Sequence, residues 1–461
     1  MQTIKKDYQA AVAAQKPLIQ PAATEPTPTP TPVPPSPAPT PPAPVKPELP
    51  PPRYTAKPSF NVVRVRLFPL FKRDTPSMDP FVTNATERKL TLKNAEGLQL
   101  VDVATKKLLA KGNKITFDLA LSIILVDDKK VSALAKAEVL PLVRGSGTVV
   151  VGLKESSTNT DGYFKYEGSF VFLKTSVING SGSVVNTWNL VNFVYLEDYI
   201  TAVTPSEVPI RWLDPSENAV EAVKAQAVAA RSYALNIITT SRKSSTREWD
   251  VVPTTANQAY MGIRFLTDQA REIIATTAGL VLTFDDRIIL AAFSANSGGH
   301  TCSALDCWGT SLPYLAAVKD VPEVRNLPGG YAQFAVAPTD FQKALKANRI
   351  IINVNSPAQK IEILKTNSSQ RVTQITAQVA GKVFNLNAAQ TASVLDSACR
   401  GYRFLEFGPL ENGNFMVTKY GFGHAIGMSQ WGAYAQSRTG KNYEEILKFY
   451  YTGTHVDTLL E

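Results

Sequence analysis

The stretch Glu217-Asn-Ala-Val-Glu-Ala-Val-Lys-Ala-Gln-Ala-Val-Ala-Ala-Arg-Ser-Tyr-Ala-Leu235 carries the strongest helical pattern in this chain. Alanine is the best helix former, and the preceding Ser216 is a residue type that caps helix N-termini. Apolar residues recur at spacings of three, four and seven, so the pattern predicts a helix over residues 216–238. Gln226 lies on its otherwise apolar side, where a buried amide needs a hydrogen-bond partner.

Short strand patterns surround this helix and predict a mixed fold. β-Branched and aromatic residues recur in segments that are separated by Gly, Asn and Asp turns. Further helices are predicted over residues 339–348 and 443–451. Together these elements predict an α+β fold whose strands include Phe60–Leu67, Ile115–Phe117, Gly147–Val151, Ser169–Leu173, Leu280–Phe284, Ile288–Phe293 and Arg371–Val379.

Composition divides the 461 residues into three parts. Of the 32 prolines, 18 fall between Pro17 and Pro58, a density that excludes a globular core. Residues 1–58 are therefore predicted to form a disordered spacer rich in proline, threonine and alanine. We expect a β-rich region over residues 59–160 and a larger α+β domain over residues 161–461. Three cysteines exclude a disulfide-dense scaffold.

The formal net charge of +9 favours anionic partners such as nucleic acid, anionic lipid or cell-wall polymer. No dense run of Lys and Arg is interleaved with aromatic residues, so we do not expect nucleic acid as a partner. No run reaches the roughly 18 apolar residues of a membrane helix, and residues 1–20 lack the apolar core of a signal peptide. The P-loop, dinucleotide, zincin and nucleophile-elbow motifs do not occur either, which excludes simple nucleotide-binding and metalloprotease functions.

The segment Val203-Thr-Pro-Ser-Glu-Val-Pro209 contains a single carboxyl group between two prolines. Prolines restrict the backbone, so we expect a stiff loop that aims Glu207. A carboxyl group in a partly apolar cleft has a raised pKa and can act as a general acid. Judged by composition alone, the commoner alternative is that Glu207 only caps or pairs locally.

Two glycine-containing segments carry His300 and His424. Gly421-Phe-Gly-His-Ala-Ile-Gly-Met-Ser-Gln430 lets the backbone approach a ligand closely and offers side-chain donors and acceptors suited to sugar hydroxyls. The alternative for this segment is a tight turn whose histidine makes its hydrogen bonds inside the fold. Ser297-Gly-Gly-His-Thr-Cys-Ser-Ala-Leu-Asp-Cys307 is compatible with zinc ligands, a local disulfide or free thiols.

Together these segments resemble the SpoIID/LytB family, the stage II sporulation protein D-like domain. The resemblance follows the order of the family's motifs over most of residues 160–455. The matching segments are Tyr166–Gly168, Val191–Ile200, Thr204–Pro209, Val223–Ala234, Ser294–Thr301, Pro313–Leu315, Gly421–Ala433 and Tyr450–Thr454.

The resemblance implies that residues 161–461 form a catalytic domain and that Glu207 is the general acid and base of a lytic transglycosylase. Such enzymes cleave peptidoglycan between N-acetylmuramic acid and N-acetylglucosamine. Some relatives bind zinc in this region, but Ser294 stands where their ligand histidine would be, so we expect neither a metal nor another cofactor. The implied substrate-binding residues are Lys224, Gln226, Arg231, Ser297, His300, His424, Ser429 and Gln430.

The resemblance also implies partners and a location. We expect the protein in the cell envelope, bound to peptidoglycan glycan strands and in contact with a wall amidase or other envelope proteins. LytB-type relatives are described as enhancers of a wall amidase. The alternative function is therefore a non-catalytic wall-binding protein that enhances an N-acetylmuramoyl-L-alanine amidase.

Overall fold

The computed structural model describes residues 54–55, 61–69, 89–119, 121–133, 136–151, 164–178, 184–244, 248–352, 354–399 and 404–460. All of them belong to the unit Pro52–Glu461. The spacer predicted over residues 1–58 lies outside the described residues apart from Tyr54 and Thr55, so its disorder stays a prediction.

Within the described residues the chain forms 22 β-strands and eight α-helices. The strands are β1 Tyr54–Thr55, β2 Val62–Pro69, β3 Lys89–Asp102, β4 Leu108–Asp118, β5 Ile123–Val126, β6 Lys129–Ala133, β7 Ala137–Pro141, β8 Thr148–Val151, β9 Phe164–Tyr166, β10 Ser169–Ile178, β11 Val184–Tyr195, β12 Leu280–Phe284, β13 Arg287–Ile288, β14 Phe293–Ser294, β15 Tyr331–Val336, β16 Ala358–Thr366, β17 Val372–Val379, β18 Lys382–Asn385, β19 Leu405–Glu411, β20 Asn414–Tyr420, β21 Met428–Ser429 and β22 His455–Leu460. The helices are α1 Leu196–Glu207, α2 Val220–Ser244, α3 Asp268–Ala275, α4 Ala304–Trp308, α5 Pro338–Ala347, α6 Ala388–Ala398, α7 Gln430–Arg438 and α8 Tyr443–Tyr450. Helices combined with mainly antiparallel sheets confirm the predicted α+β class. None of these helices is long and apolar enough to cross a membrane.

A ten-stranded sheet occupies the N-terminal part of the described chain. Its order is β2-β11-β10-β7-β3-β4-β5-β6, with β8 paired to both β3 and β9. Alternation along β10 turns Phe170 and Phe172 towards the main core, while Val171 and Leu173 pack on the other face. The sheet takes strands from both sides of residue 160, so the predicted division at that point stays a prediction.

Helix α2 runs through the main hydrophobic core. Ala225, Ala227, Ala229 and Ala230 are fully buried on it, and such small side chains let neighbouring elements approach closely. Helices α1, α7 and α8 and strand β12 contact α2. This packing brings together segments that are more than 200 residues apart in the sequence.

Two elements differ from the predicted ones. Helix α2 begins at Val220 because residues 214–217 form a turn, in which Glu217 N–H donates to Asp214 O (2.9 Å). The strand predicted over residues 288–293 is reduced to the two-residue strands β13 and β14. Between them, tight main-chain turns replace the extended conformation.

Residues 331–420 form a second hydrophobic core of their own. Helices α5 and α6 pack there with the sheets β15-β20-β19 and β16-β17-β18. Helix α5 and strand β17 confirm two of the predicted elements. This second core lies in sequence between the two glycine-containing segments, so the chain leaves the main core and returns to it at Gly421.

Candidate active site

Glu207 is the last residue of helix α1, so the stiff loop predicted for residues 203–209 is wrong. The helix accommodates Pro205 in its final turn, where Ser206 Oγ donates to a main-chain carbonyl four residues earlier (2.9 Å). The helix ends because Val208 precedes a proline and is extended. The Glu207 carboxyl group therefore lies at the negative end of the helix dipole, which disfavours the ionised form.

The carboxyl group of Glu207 is partly buried and has two hydrogen-bond partners. The Ala259 N–H donates to Oε1, and the Gln430 side chain also bonds to the carboxyl group. Burial raises the pKa of Glu207 to about 7, although both hydrogen bonds lower it. A carboxyl group with this pKa can donate a proton and take one back at neutral pH.

The loop that supplies Ala259 was missed by the sequence analysis. It is fixed by Gln258, which is fully buried, accepts from the Tyr199 hydroxyl (3.1 Å) and donates to a main-chain carbonyl of α2 (3.2 Å). A main-chain N–H is offered by every residue except proline. No residue-type signal could therefore have identified Ala259 as the partner of Glu207.

Gln226 and Gln430 bring α2 and the start of α7 together beside Glu207. Gln430 Nε2 donates to Gln226 Oε1 (3.3 Å). Gln226 is fully buried, and its own Nε2 has no hydrogen-bond partner among the described residues. A buried donor without a partner is costly unless a ligand or a water molecule accepts from it. Gln226 is therefore a buried neighbour of Gln430, and no group among the described residues accepts from its Nε2.

Ser297 and Ser429 hold the two glycine-containing segments together. Ser429 Oγ accepts from the N–H groups of Ser297 (3.1 Å) and Gly432 (3.2 Å). Ser297 Oγ donates to Asp320 (2.5 Å), which also accepts from the Tyr450 hydroxyl (2.7 Å). Burial raises the pKa of Asp320. Asp320 was not among the residues that the sequence indicated. Both serines have partners within the protein, and their role in substrate binding stays a prediction.

Tyr450→Phe is expected to lower the free energy of unfolding by about 2 kcal/mol, because it removes a donor from the buried Asp320 carboxyl group. Tyr451→Phe is the matched control. Tyr451 is equally buried, but its hydroxyl donates to the neutral Ala292 carbonyl (2.9 Å), so its loss costs about 1 kcal/mol. Urea unfolding measures both values. Equal losses would show that the carboxyl group is not the stronger acceptor.

Lys224 and Arg231 lie on α2 but have acidic partners within the fold. Lys224 Nζ contacts Glu221 (2.7 Å), so its predicted contact with substrate stays a prediction. Arg231 is fully buried; its Nε and Nη2 donate to Glu197 (2.8 and 2.7 Å), and its Nη1 donates to Leu280 O (3.0 Å). These contacts give Arg231 a structural role, and the substrate-binding role predicted for it stays a prediction.

The segment that directly follows His300 contains a disulfide between Cys302 and Cys307. This bond selects one of the three states that the sequence left open. It leaves no thiolate for zinc, so these residues do not fit the zinc site of some relatives. His424 is exposed, and its Nδ1 accepts from Ile426 N–H (2.9 Å). Across the described ranges, no three His, Cys, Asp or Glu side chains are arranged to hold a metal ion.

Residues 185–284 match the family model SpoIID, described as stage II sporulation protein. This range contains Glu207, Gln226 and the Ala259 loop, whereas Gln430 lies outside it.

Three curated relatives extend the match. An uncharacterised protein of Brachyspira hyodysenteriae is 30% identical over 303 residues, which cover 63% of this chain and 72% of that protein. Stage II sporulation protein D of Bacillus subtilis is 29% identical over 279 residues, covering 57% of this chain and 74% of the relative. The amidase enhancer of Bacillus subtilis is 29% identical over 296 residues, covering 55% of this chain. That match spans only 40% of the amidase enhancer's length.

Proposed function

Since this chain belongs to the SpoIID/LytB family, we propose that it is a lytic transglycosylase. It cleaves peptidoglycan glycan strands in the cell envelope between N-acetylmuramic acid and N-acetylglucosamine. The observation that carries this proposal is Glu207, a partly buried carboxyl group whose pKa is raised to about 7. Gln430 and the Ala259 N–H fix its orientation.

The reaction uses Glu207 twice. The protonated carboxyl group first donates its proton to the leaving glycosidic oxygen, and the transition state resembles an oxocarbenium ion. The resulting carboxylate then takes the proton of the muramyl 6-hydroxyl, whose oxygen attacks the anomeric carbon of the same sugar. The product has a 1,6-anhydro end, and Glu207 regains its proton without any water being consumed.

The placement of other acidic residues supports this reaction over hydrolysis, which needs two carboxyl groups about 5–9.5 Å apart. Glu197 and Asp198 lie at the opposite end of α1 from Glu207. At 1.5 Å of rise per residue they are about 14–15 Å away along the helix. Glu217 is hydrogen-bonded to Tyr434 and lies 3.5 Å from the guanidinium group of Arg211.

Mass spectrometry of the products tests the proposal. Purified glycan strands, both stripped of stem peptides and intact, are incubated with the protein. We expect fragments that end in 1,6-anhydro-muramyl groups. Reducing ends would instead identify a hydrolase, and the absence of any cleavage would reject an enzyme that acts on glycan.

Cleavage is expected to fall as the pH rises through about 7, because a general acid must be protonated and Glu207 loses its proton there. Gln430→Met removes a hydrogen bond that lowers the pKa of Glu207, so the alkaline limb of the profile should move to higher pH. Measuring kcat/KM between pH 5 and 9 checks both statements. If the alkaline limb lies at the same pH in Gln430→Met as in wild type, a group other than Glu207 determines it.

The relative named amidase enhancer favours a second candidate function. The protein would then be a non-catalytic wall-binding protein that enhances an N-acetylmuramoyl-L-alanine amidase. Release of stem peptides from purified walls by such an amidase is measured with and without the protein. Faster release without glycan fragments, equal for wild type and Glu207→Gln, would favour this function over the transglycosylase.

A further inference from the structure

The short helix α4 exposes two large apolar side chains, of which Trp308 lies next to His424. Trp308 is 43% exposed and Leu305 is 59% exposed. The other four tryptophans of the chain are buried or half-buried. Tryptophan is enriched at binding interfaces, because its ring offers a large apolar face together with an N–H donor.

Helix α4 is held rigidly although it is only five residues long. The Cys302–Cys307 disulfide ties its last turn to the preceding strand-like segment. Ser303 caps its start, with Oγ accepting from Asp306 N–H (3.0 Å). Asp306 in turn accepts from the Ser368 hydroxyl (2.8 Å) of the second core. These contacts fix the backbone that carries the Trp308 ring, which lowers the entropy cost of binding a ligand.

A series of side-chain and main-chain interactions leads from Trp308 towards Glu207. The rings of Trp308 and His424 are 5.5 Å apart, and the His424 ring is hydrogen-bonded to the backbone of Phe293. The Phe293 ring lies 6.2 Å from that of Tyr233, which is close enough to Glu207 for the two groups to interact electrostatically. Exposure increases along this series, from the half-buried Tyr233 and Phe293 to the exposed His424 and Trp308.

We propose that Trp308 is a stacking platform for an N-acetylhexosamine ring of the glycan strand, at a subsite remote from the cleaved bond. This inference rests on the proposed function, because the occupant is the same strand that passes Glu207. The flat C–H face of a pyranose ring covers the indole, while its hydroxyl and acetamido groups remain hydrogen-bonded to water or to His424. A long strand therefore gains a contact that a disaccharide cannot reach.

Kinetics on stripped glycan strands test the platform. Trp308→Ala is expected to raise KM roughly tenfold while kcat changes less than twofold, because the contact is equal in the ground and transition states. Trp308→Phe keeps an aromatic face and should raise KM less than threefold. Tyr195→Ala is the matched control. Tyr195 is 49% exposed but precedes α1, at the end opposite Glu207, and its removal should leave KM unchanged.

Binding gives a second readout that does not need cleavage. Calorimetry with hexa-N-acetylglucosamine is performed on Glu207→Gln protein with and without Trp308→Ala. A roughly tenfold weaker Kd only in the Trp308→Ala protein supports the platform. Wild-type cleavage with an unchanged KM and Kd in the variant overturns the platform and leaves the proposed function intact. Binding without cleavage by wild type overturns the transglycosylase, and the two Kd values then decide the platform alone. A wild type that neither binds nor cleaves glycan overturns both.

Discussion

Glu207→Gln is expected to lower kcat for glycan cleavage by roughly 10³-fold, the largest effect of any single substitution proposed. Glutamine keeps the size of the side chain and an oxygen that can accept from the Ala259 N–H. It cannot supply the proton that the leaving oxygen needs. Anhydro-muramyl products counted by mass spectrometry should fall to background in the variant. Cleavage at the wild-type rate would remove Glu207 from the mechanism.

Glu217→Gln is the matched control, since Glu217 is an acid close to Glu207 in sequence that could serve as a second carboxylate. Its carboxyl group is engaged with Tyr434 and Arg211, so its neutralisation should change kcat only a few-fold. If both variants lost cleavage, a two-carboxylate hydrolytic mechanism would replace the transglycosylase. Reducing-end products from wild type would accompany that outcome.

The stability of Glu207→Gln provides a check on its folding. The folded protein binds the Glu207 proton more tightly than the unfolded chain, because burial raises its pKa from about 4.5 to about 7. Wild-type stability therefore falls as the pH rises through this window. The glutamine side chain does not titrate, so the variant does not lose stability in this pH window. Above pH 7 the Tm of the variant should therefore be equal to or higher than that of wild type.

Glu197→Gln is expected to lower the free energy of unfolding by about 2 kcal/mol, less than for a fully buried ion pair because the Glu197 side chain is 43% exposed to solvent. Glu197 accepts from Nε and Nη2 of Arg231, whose side chain is completely buried. The substitution leaves the buried guanidinium charge with neutral acceptors only, namely the Leu280 carbonyl and the single amide oxygen of glutamine. Calorimetric Tm and urea unfolding measure the loss.

Glu444→Gln is the control for a surface ion pair. The Glu444 carboxylate lies 3.1 Å from Lys448 Nζ on helix α8, and both side chains are exposed. Such pairs contribute less than about 0.5 kcal/mol, so this variant should unfold almost like wild type. The kcat of folded Glu197→Gln protein should also stay near the wild-type value. Equal destabilisation by the two substitutions would show that burial of Arg231 does not decide the energy.

Local patterns sufficed for much of the architecture. Helix α2, helix α5 and strand β17 follow from periodicity and residue type, because such patterns reflect the face that an element buries. The boundary at Val220 and the helical turn around Glu207 did not follow. Prolines on both sides of Glu207 indicated a loop, yet the packing of α1 against α2 keeps Pro205 within a helix.

The polar residues of α2 show which contacts the sequence could not predict. By itself the sequence determined that Glu207 stands in a family motif, and that Gln226 and Arg231 lie on one alanine-rich helix. The tertiary structure alone decided that Gln226 meets Gln430, 204 residues later, beside Glu207. It also decided that the buried Arg231 meets Glu197, 34 residues earlier, at the edge of the core. Helical periodicity reports which residues share a face, whereas the partner of a buried polar group depends on segments that only folding brings together.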